Sequence, residues 1–256
     1  MLNDLERASI DCYREAATAQ APVGATPEET AVFLGLQVML QAGRLIRERR
    51  GVVEASEVVV KDDGSPSTEV EQRIEATLRE WLISWDAEAV VVGEETGGSL
   101  PSEGLAVAID PIDGTRAFLA ETETFTTTLA LIQDGVSFLG MVSNPTTGEI
   151  AYGAAGGESR LVRLSLFGEG DEGQSLTRTS ARLDPVLVNI HPSRQARGVV
   201  QRLYQAWEDR EISMVRSPGG SPAWALVEAA RGHFIYANLW SRRPAEAFDL
   251  AAGTLI

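Results

Sequence analysis

The chain opens on a polar stretch and then falls into alternating runs of helical and strand periodicity. Residues 1–27 predict a polar helix followed by a loop around Ala21-Pro22-Val23-Gly24. Over residues 28–50, Phe33, Leu36, Leu40, Leu45 and Ile46 recur near helical spacing, and Gly51 is a stop signal. Val58-Val59-Val60 predicts a short strand and Asp62-Asp63-Gly64-Ser65-Pro66 a turn. A helix follows from near Thr68, with Val70, Ile74, Leu78, Trp81 and Leu82 on one face. The apolar runs 89–92 and 106–109 predict buried strands. The first leads through Gly93 into Glu94-Glu95, the second directly into Asp110. Residues 126–133 and 136–142 flank Asp134-Gly135, a strong type I′ hairpin signal. Residues 150–153 and 159–166 continue the β-rich section, and 168–174 predict an acidic Gly-rich loop. Beyond it, strands at 186–190, 212–215 and 234–238 alternate with helices at 194–207 and 223–231, and a last helix begins near Asp249. There is no internal repeat. The pattern predicts layered α/β structure with mixed sheets.

Composition narrows the function. With 256 residues, 44% of them hydrophobic, the chain can bury a full core. Its formal net charge of −15 repels a phosphate backbone, so a nucleic-acid polymer is not an expected partner. A small phosphate ester stays open, because a bound metal reverses the sign of a local acidic site. The single cysteine, Cys12, excludes an intrachain disulfide framework, and two histidines, His191 and His233, argue against a multi-histidine zinc centre. No apolar run approaches the ~18 residues of a membrane span, and the polar, acidic start resembles no targeting signal. The expected location is the cytoplasm, with no membrane partner.

The candidate chemistry centres on Asp110-Pro111-Ile112-Asp113-Gly114-Thr115. Pro111 is expected to stop the strand, so that Asp110, Asp113 and the Ile112 carbonyl turn towards one point. Glu94, on a neighbouring strand end, adds an oxygen, and Asp249 completes a second position. Hard oxygen donors of this kind suit Mg²⁺. Two ions ~3.5–4 Å apart would clamp a phosphate and activate water. An ordinary Asx/Pro turn is the plainer reading of the same residues. Gly114 and Thr115 present backbone N–H groups where a helix starts, an anion site or simply a helix cap. Thr68-Glu69-Val70-Glu71 reads equally as a capping box or as the source of a carboxylate, Glu71, that accepts the Thr115 hydroxyl and aims it at water. Gly220 and Ser221 precede a helix, and Arg242 and Arg243 stand before Asp249. Each pair is a candidate substrate contact or a plain structural feature. Cys12, His191 and His233 carry no clear chemistry.

Taken together, the motifs resemble the lithium-sensitive, magnesium-dependent phosphatases of the inositol monophosphatase type. That group includes 3′(2′),5′-bisphosphate nucleotidases, fructose-1,6-bisphosphatases and histidinol-phosphatase-like members. The resemblance runs from about Val32 to the end. It is carried by the segment Lys61–Thr68, by Gly93-Glu94-Glu95, by the 110–115 hexapeptide and by Phe248-Asp249-Leu250-Ala251-Ala252-Gly253. It implies a layered α-β-α-β-α sandwich over residues 28–256, with a mixed-sheet half to about 180, a smaller α/β half over 181–256, and residues 1–27 as an extension. Glu94, Asp110 and the Ile112 carbonyl would bind a first Mg²⁺; Asp110, Asp113 and Asp249 would bind a second, within a set of two or three ions. Gly114 and Thr115 would hold phosphate, and Thr115 with Glu71 would orient water. A homodimer is implied as well.

Two departures stand out. Glu71 occupies a position where the family usually has Asp. The family pattern also continues into further strands past the Ala-Ala-Gly motif, whereas this sequence stops at Ile256: either the tail lies beyond the given residues or those strands are lacking, and a true loss would leave a sheet edge uncovered. Arg242 stands where inositol-specific members carry a glutamate, which favours a more anionic substrate. The expected substrate is therefore a small phosphorylated metabolite: an inositol or sugar phosphate, 3′-phosphoadenosine 5′-phosphate or histidinol phosphate. A metal- or phosphate-binding protein without catalysis on the same scaffold is the alternative.

Overall fold

Three helices begin in the same way. In each, a polar side chain accepts the amide three residues on, and a glutamate there accepts the capping residue's own amide. Asn3 and Glu6 start α1 (Asp4–Arg14), Thr26 and Glu29 start α2 (Pro27–Arg49), and Thr68 and Glu71 start α3 (Glu69–Trp85). The computed structural model describes residues 1–15, 20–53, 57–61, 66–86, 88–164, 171–176, 186–191, 197–216, 220–232, 235–238, 251–253 and 255–256.

The strands β1 (Val58–Val60) and β2 (Pro66–Thr68) form an antiparallel pair before α3. Seven strands then build one sheet in chain order: β3 (Val90–Gly93), β4 (Leu105–Asp113), β5 (Thr126–Gln133), β6 (Val136–Asn144), β7 (Glu149–Ala154), β8 (Arg160–Arg163) and β9 (Glu172–Ser175). Within it β3 and β4 are parallel and the other pairs antiparallel. The short helix α4 (Thr115–Leu119) joins β4 to β5. A parallel sheet in the order β11-β10-β12 follows, from β10 (Val186–His191), β11 (Ile212–Arg216) and β12 (Ile235–Asn238), with α5 (Arg197–Glu208) and α6 (Pro222–Ala230) between them.

Alternation along β4 separates two cores. Val107 and Ile109 join Leu129, Leu131, Leu139 and Met141 in a large cluster under α1, α2 and α3. Ala106 and Ala108 join Ala130, Ile132 and Val142 on the other face, against Ala223 and Val227 of α6 and Ala252. The same helix α6 meets β12, and α5 packs on β11. The layers therefore run α1–α3, seven-stranded sheet, α6, three-stranded sheet, α5. This is the α-β-α-β-α sandwich that the family resemblance implies. Among the described residues, no helix is long and apolar enough to cross a membrane.

Local differences have physical reasons. Pro111 does not end β4, which continues to Asp113. The register with β5 slips between Asp110 and Asp113, and such an irregularity frees a proline from the ladder bond it cannot donate. Glu172–Ser175, expected to be part of a loop, is a strand because β8 supplies its ladder partners. The hairpin after β5 is as expected, with positive φ at both Asp134 (52°) and Gly135 (77°).

Candidate active site

The parallel register of β3 and β4 sets Gly93 opposite Ile109, so the chain leaves β3 at Glu94 alongside Asp110 of β4. The Glu94 amide donates to the Ile109 carbonyl at 3.3 Å, which places Glu94 next to Asp110. Asp110 Oδ1 accepts the Ile112 amide at 2.8 Å, and the Thr127 hydroxyl donates to the Pro111 carbonyl at 2.8 Å. Those two bonds shape the irregular end of β4. Asp113 is buried. Its Oδ2 accepts the Ser221 hydroxyl and, at 3.2 Å, the Ala223 amide at the start of α6. Ser221 also caps α6 by accepting the Trp224 amide at 2.9 Å, and lies 2.6 Å from the Thr126 hydroxyl. Burial pushes the Asp113 carboxyl above the ordinary aspartate value, against the hydrogen bonds of Ser221 and Ala223; the negative charge of Glu94 raises it further.

Gly114 follows with φ of 94°, a left-handed turn that glycine adopts without strain. Ser221 N would lie only 3.0 Å from a Cβ added there, so Gly114, Gly220 and Ser221 are packed together. Ser221 donates its amide to the Thr124 carbonyl at 2.7 Å. The helix α4 then starts with no side-chain cap. The Thr115 hydroxyl donates to Glu71 Oε1 at 2.6 Å. Glu71 Oε2 meanwhile accepts the Thr68 amide at 2.6 Å. The two readings of Glu71 are therefore compatible: one oxygen caps α3 and the other receives Thr115. Burial pushes this carboxyl up to about 7, opposed by the Thr115 and Thr68 hydrogen bonds and aided by the charge of Glu95.

Lys61 bridges the acidic turn, its Nζ 2.7 Å from both Glu94 Oε1 and Glu95 Oε1. Burial would lower the Lys61 pKa, but its bonds to the two carboxylates hold it above the ordinary lysine value. The Ser67 hydroxyl donates to Glu95 Oε2 at 2.5 Å. Among the described residues, no three Asp, Glu, His or Cys side chains are gathered closely enough to hold a metal ion by themselves. Asp249 and Arg242 lie outside the described residues. Asp110, Ile112, Asp113, Gly114, Thr115, Glu71, Gly220 and Ser221 are brought together, with Glu94 beside them and drawn to Lys61. The donors are carboxylates and a carbonyl on adjoining strand ends. That set fits a hard cation such as Mg²⁺ and no soft one.

Sequence reasoning missed Glu75, Arg79, Thr96 and Thr126. The signal for the first two was present: Glu71, Glu75 and Arg79 recur every four residues beside the apolar face of α3.

A five-layer sandwich with an acidic site at the ends of paired strands defines the class. A sequence profile of the inositol monophosphatase family matches residues 28–256, and the chain belongs to that family. A histidinol-phosphatase of Mycobacterium tuberculosis is 33% identical over 114 residues, 44% of each chain. A histidinol-phosphatase of Chlorobaculum parvum is 28% identical over 69% of this chain and 68% of its own. The 3′(2′),5′-bisphosphate nucleotidase CysQ of Escherichia coli is 26% identical over 85% of this chain and 86% of its own. The alignment thus spans less than half the length of the first of these relatives and most of the last. The Thermotoga maritima IMPase TM1415 shares the fold, with a TM-score of 0.71 at 19% identity over 88% of this chain and 80% of its own.

Proposed function

We propose that this protein is a magnesium-dependent phosphomonoesterase acting on a small phosphorylated metabolite. The observation that carries the reading is the Thr115–Glu71 hydrogen bond at 2.6 Å, directly after the strand end that carries the buried acids Asp110 and Asp113. A threonine whose proton is committed to a buried carboxylate directs a lone pair outwards. A water donating to that lone pair is aligned for attack, and its proton has a route through Thr115 to Glu71. Glu94, Asp110, Asp113, the Ile112 carbonyl and Asp249 would hold Mg²⁺. When bound, the cation supplies charge neutralisation to the phosphoryl group and acidity to water. Backbone N–H groups of Gly114 and Thr115 would bind phosphoryl oxygens at the uncapped start of α4. Gly220 and Arg242 would face the rest of the substrate. Ser221 stands differently in this proposal: its hydroxyl holds Asp113 and its role is to orient that ligand.

The test is phosphate release from a panel of histidinol phosphate, 3′-phosphoadenosine 5′-phosphate, inositol monophosphate and fructose 1,6-bisphosphate, with Mg²⁺, without it, and with Li⁺ added. Magnesium-dependent turnover of one member, inhibited by Li⁺, is the expected result. No turnover of any member by a protein that still binds Mg²⁺ would favour the non-catalytic reading. Asp110→Asn is expected to lower kcat at least about 100-fold with an unchanged circular dichroism spectrum, because one ligand charge is lost. Near wild-type turnover in that variant would remove Asp110 from the ligand set.

A further inference from the structure

One side of α3 runs along the site as three charged residues four apart: Glu71, Glu75 and Arg79. Residues so spaced stand one above another on a helix. Glu71 ends on Thr115. Glu75 is fully buried, 0% exposed, and turns to the neighbouring element. Its Oε2 accepts the Glu95 amide at 2.8 Å; its Oε1 accepts the Thr96 amide at 2.9 Å and the Thr96 hydroxyl. In each of these bonds Glu75 is the acceptor, the part a carboxylate plays. There is no space between it and β3: a Cβ on Gly93 would fall 1.9 Å from Glu75 Oε1. Arg79, one turn further on, donates from Nη1 to the Val91 carbonyl at 2.7 Å and from Nη2 to the Thr96 hydroxyl. Two side chains of one helix thus hold the backbone from Val91 to Thr96.

We infer that Glu75 is a positioning residue for the divalent-cation site. It gathers the amides of Glu95 and Thr96 and so fixes the Glu94 carboxylate at the end of β3, beside Asp110. The inference rests on the magnesium reading above. Lys61 holds the two carboxylates of the turn from one side, and Glu75 holds the amides of Glu95 and Thr96 from the buried side. An apolar residue of the same size would pack under Gly93 but leave two amides without acceptors. Groups that hydrogen-bond to the surroundings of a metal-binding carboxylate commonly alter metal affinity 10–100-fold when removed.

The test uses the whole chain and Mn²⁺ as the probe, with free ion counted by electron paramagnetic resonance well below the melting temperature. Glu75→Gln keeps the volume and replaces one acceptor oxygen with a donor. Its Mn²⁺ dissociation constant is expected to rise about 10-fold or more. The Mg²⁺ concentration for half-maximal phosphate release should rise in parallel, and kcat at saturating Mg²⁺ should change by a smaller factor. Thr96→Val removes one hydroxyl at an exposed position. It is expected to weaken Mn²⁺ binding about threefold, and it carries the test if Glu75→Gln fails to fold. A role confined to folding would lower Tm and leave Mn²⁺ affinity unchanged. Affinities of the folded variants within twofold of wild type would overturn the inference. A wild-type protein that binds no Mn²⁺ would overturn the magnesium reading together with it, whereas metal-binding wild type with unchanged variants would overturn this inference alone.

Discussion

Glu71 serves two neighbours at once. Its two oxygens take the Thr68 amide and the Thr115 hydroxyl, each at 2.6 Å. The extra methylene relative to aspartate does not prevent the second bond. Its carboxyl is raised to about 7 mainly by burial, and the consequence for stability has a definite sign. The native state holds this proton more tightly than the unfolded chain, whose glutamate titrates near its ordinary value of about 4.5. The contribution is therefore most favourable below about pH 4.5 and is lost as pH rises towards 7, a change on the order of 3 kcal/mol. In metal-free protein, Glu71→Gln is expected to flatten the pH dependence of Tm between 4.5 and 7 relative to wild type. Under the proposed function the ionised form accepts the proton, so kcat/KM should rise with pH through an acid limb near 7. Glu71→Gln should lose that limb and at least about 100-fold in kcat. A limb that persists in the variant would belong to another group. The sequence offered both roles for Glu71 as alternatives. Only the approach of α4 to the start of α3 makes them simultaneous.

At the scale of elements, the site depends on where strands and helices start and stop. The sequence located β3 and β4 from their apolar runs, and α3 from its apolar face and its Thr-x-x-Glu start. It could not show that β4 continues through Pro111, because the register slip that accommodates the proline is a property of its pairing with β5. Nor could it show that Ser221, at the start of α6, holds Asp113 across 108 positions of sequence. Thr68 is buried at the N-cap of α3. Thr68→Ala removes the acceptor for the Glu71 amide and is expected to lower stability by about 1 kcal/mol, read by urea denaturation. It should also lower kcat, because the cap fixes the residue that receives Thr115. A stability loss with unchanged kcat would separate the cap from the site.

Across the whole molecule, α1 is tied to the far end of the seven-stranded sheet by a buried charge. Glu6 is 0% exposed. It accepts the Tyr152 hydroxyl at 2.9 Å from β7 and faces Arg160 of β8 at 2.6 Å. The terminal ammonium of Met1 donates to the Gly173 carbonyl of β9 at 2.5 Å. Burial and the Glu6 charge push the Tyr152 pKa above the usual tyrosine value. These contacts lie on the side of the sheet remote in chain order from β3 and β4. Glu6→Ala would leave Tyr152 without its acceptor and Arg160 with only the Met1 carbonyl, and is expected to cost about 3 kcal/mol, measured by chemical denaturation. KM for substrate and Mg²⁺ affinity should stay at wild-type values. A shift in either would mean that α1 communicates with the site.

Residue order alone determined the types of the main elements, the mixed α/β class and the acidic motifs at the strand ends, because hydrophobic period and turn chemistry are local properties; the order of the layers was implied by the family resemblance. Tertiary structure decided which acids become neighbours and which polar groups hold them. The parallel register of β3 and β4 sets Glu94 beside Asp110, α6 supplies donors to Asp113, and α3 supplies acceptors to Thr115 and to the turn after Gly93. Such pairings join positions tens of residues apart. Burial in the closed sandwich makes each of them matter, since a polar group removed from water must find its partner in another layer of the fold.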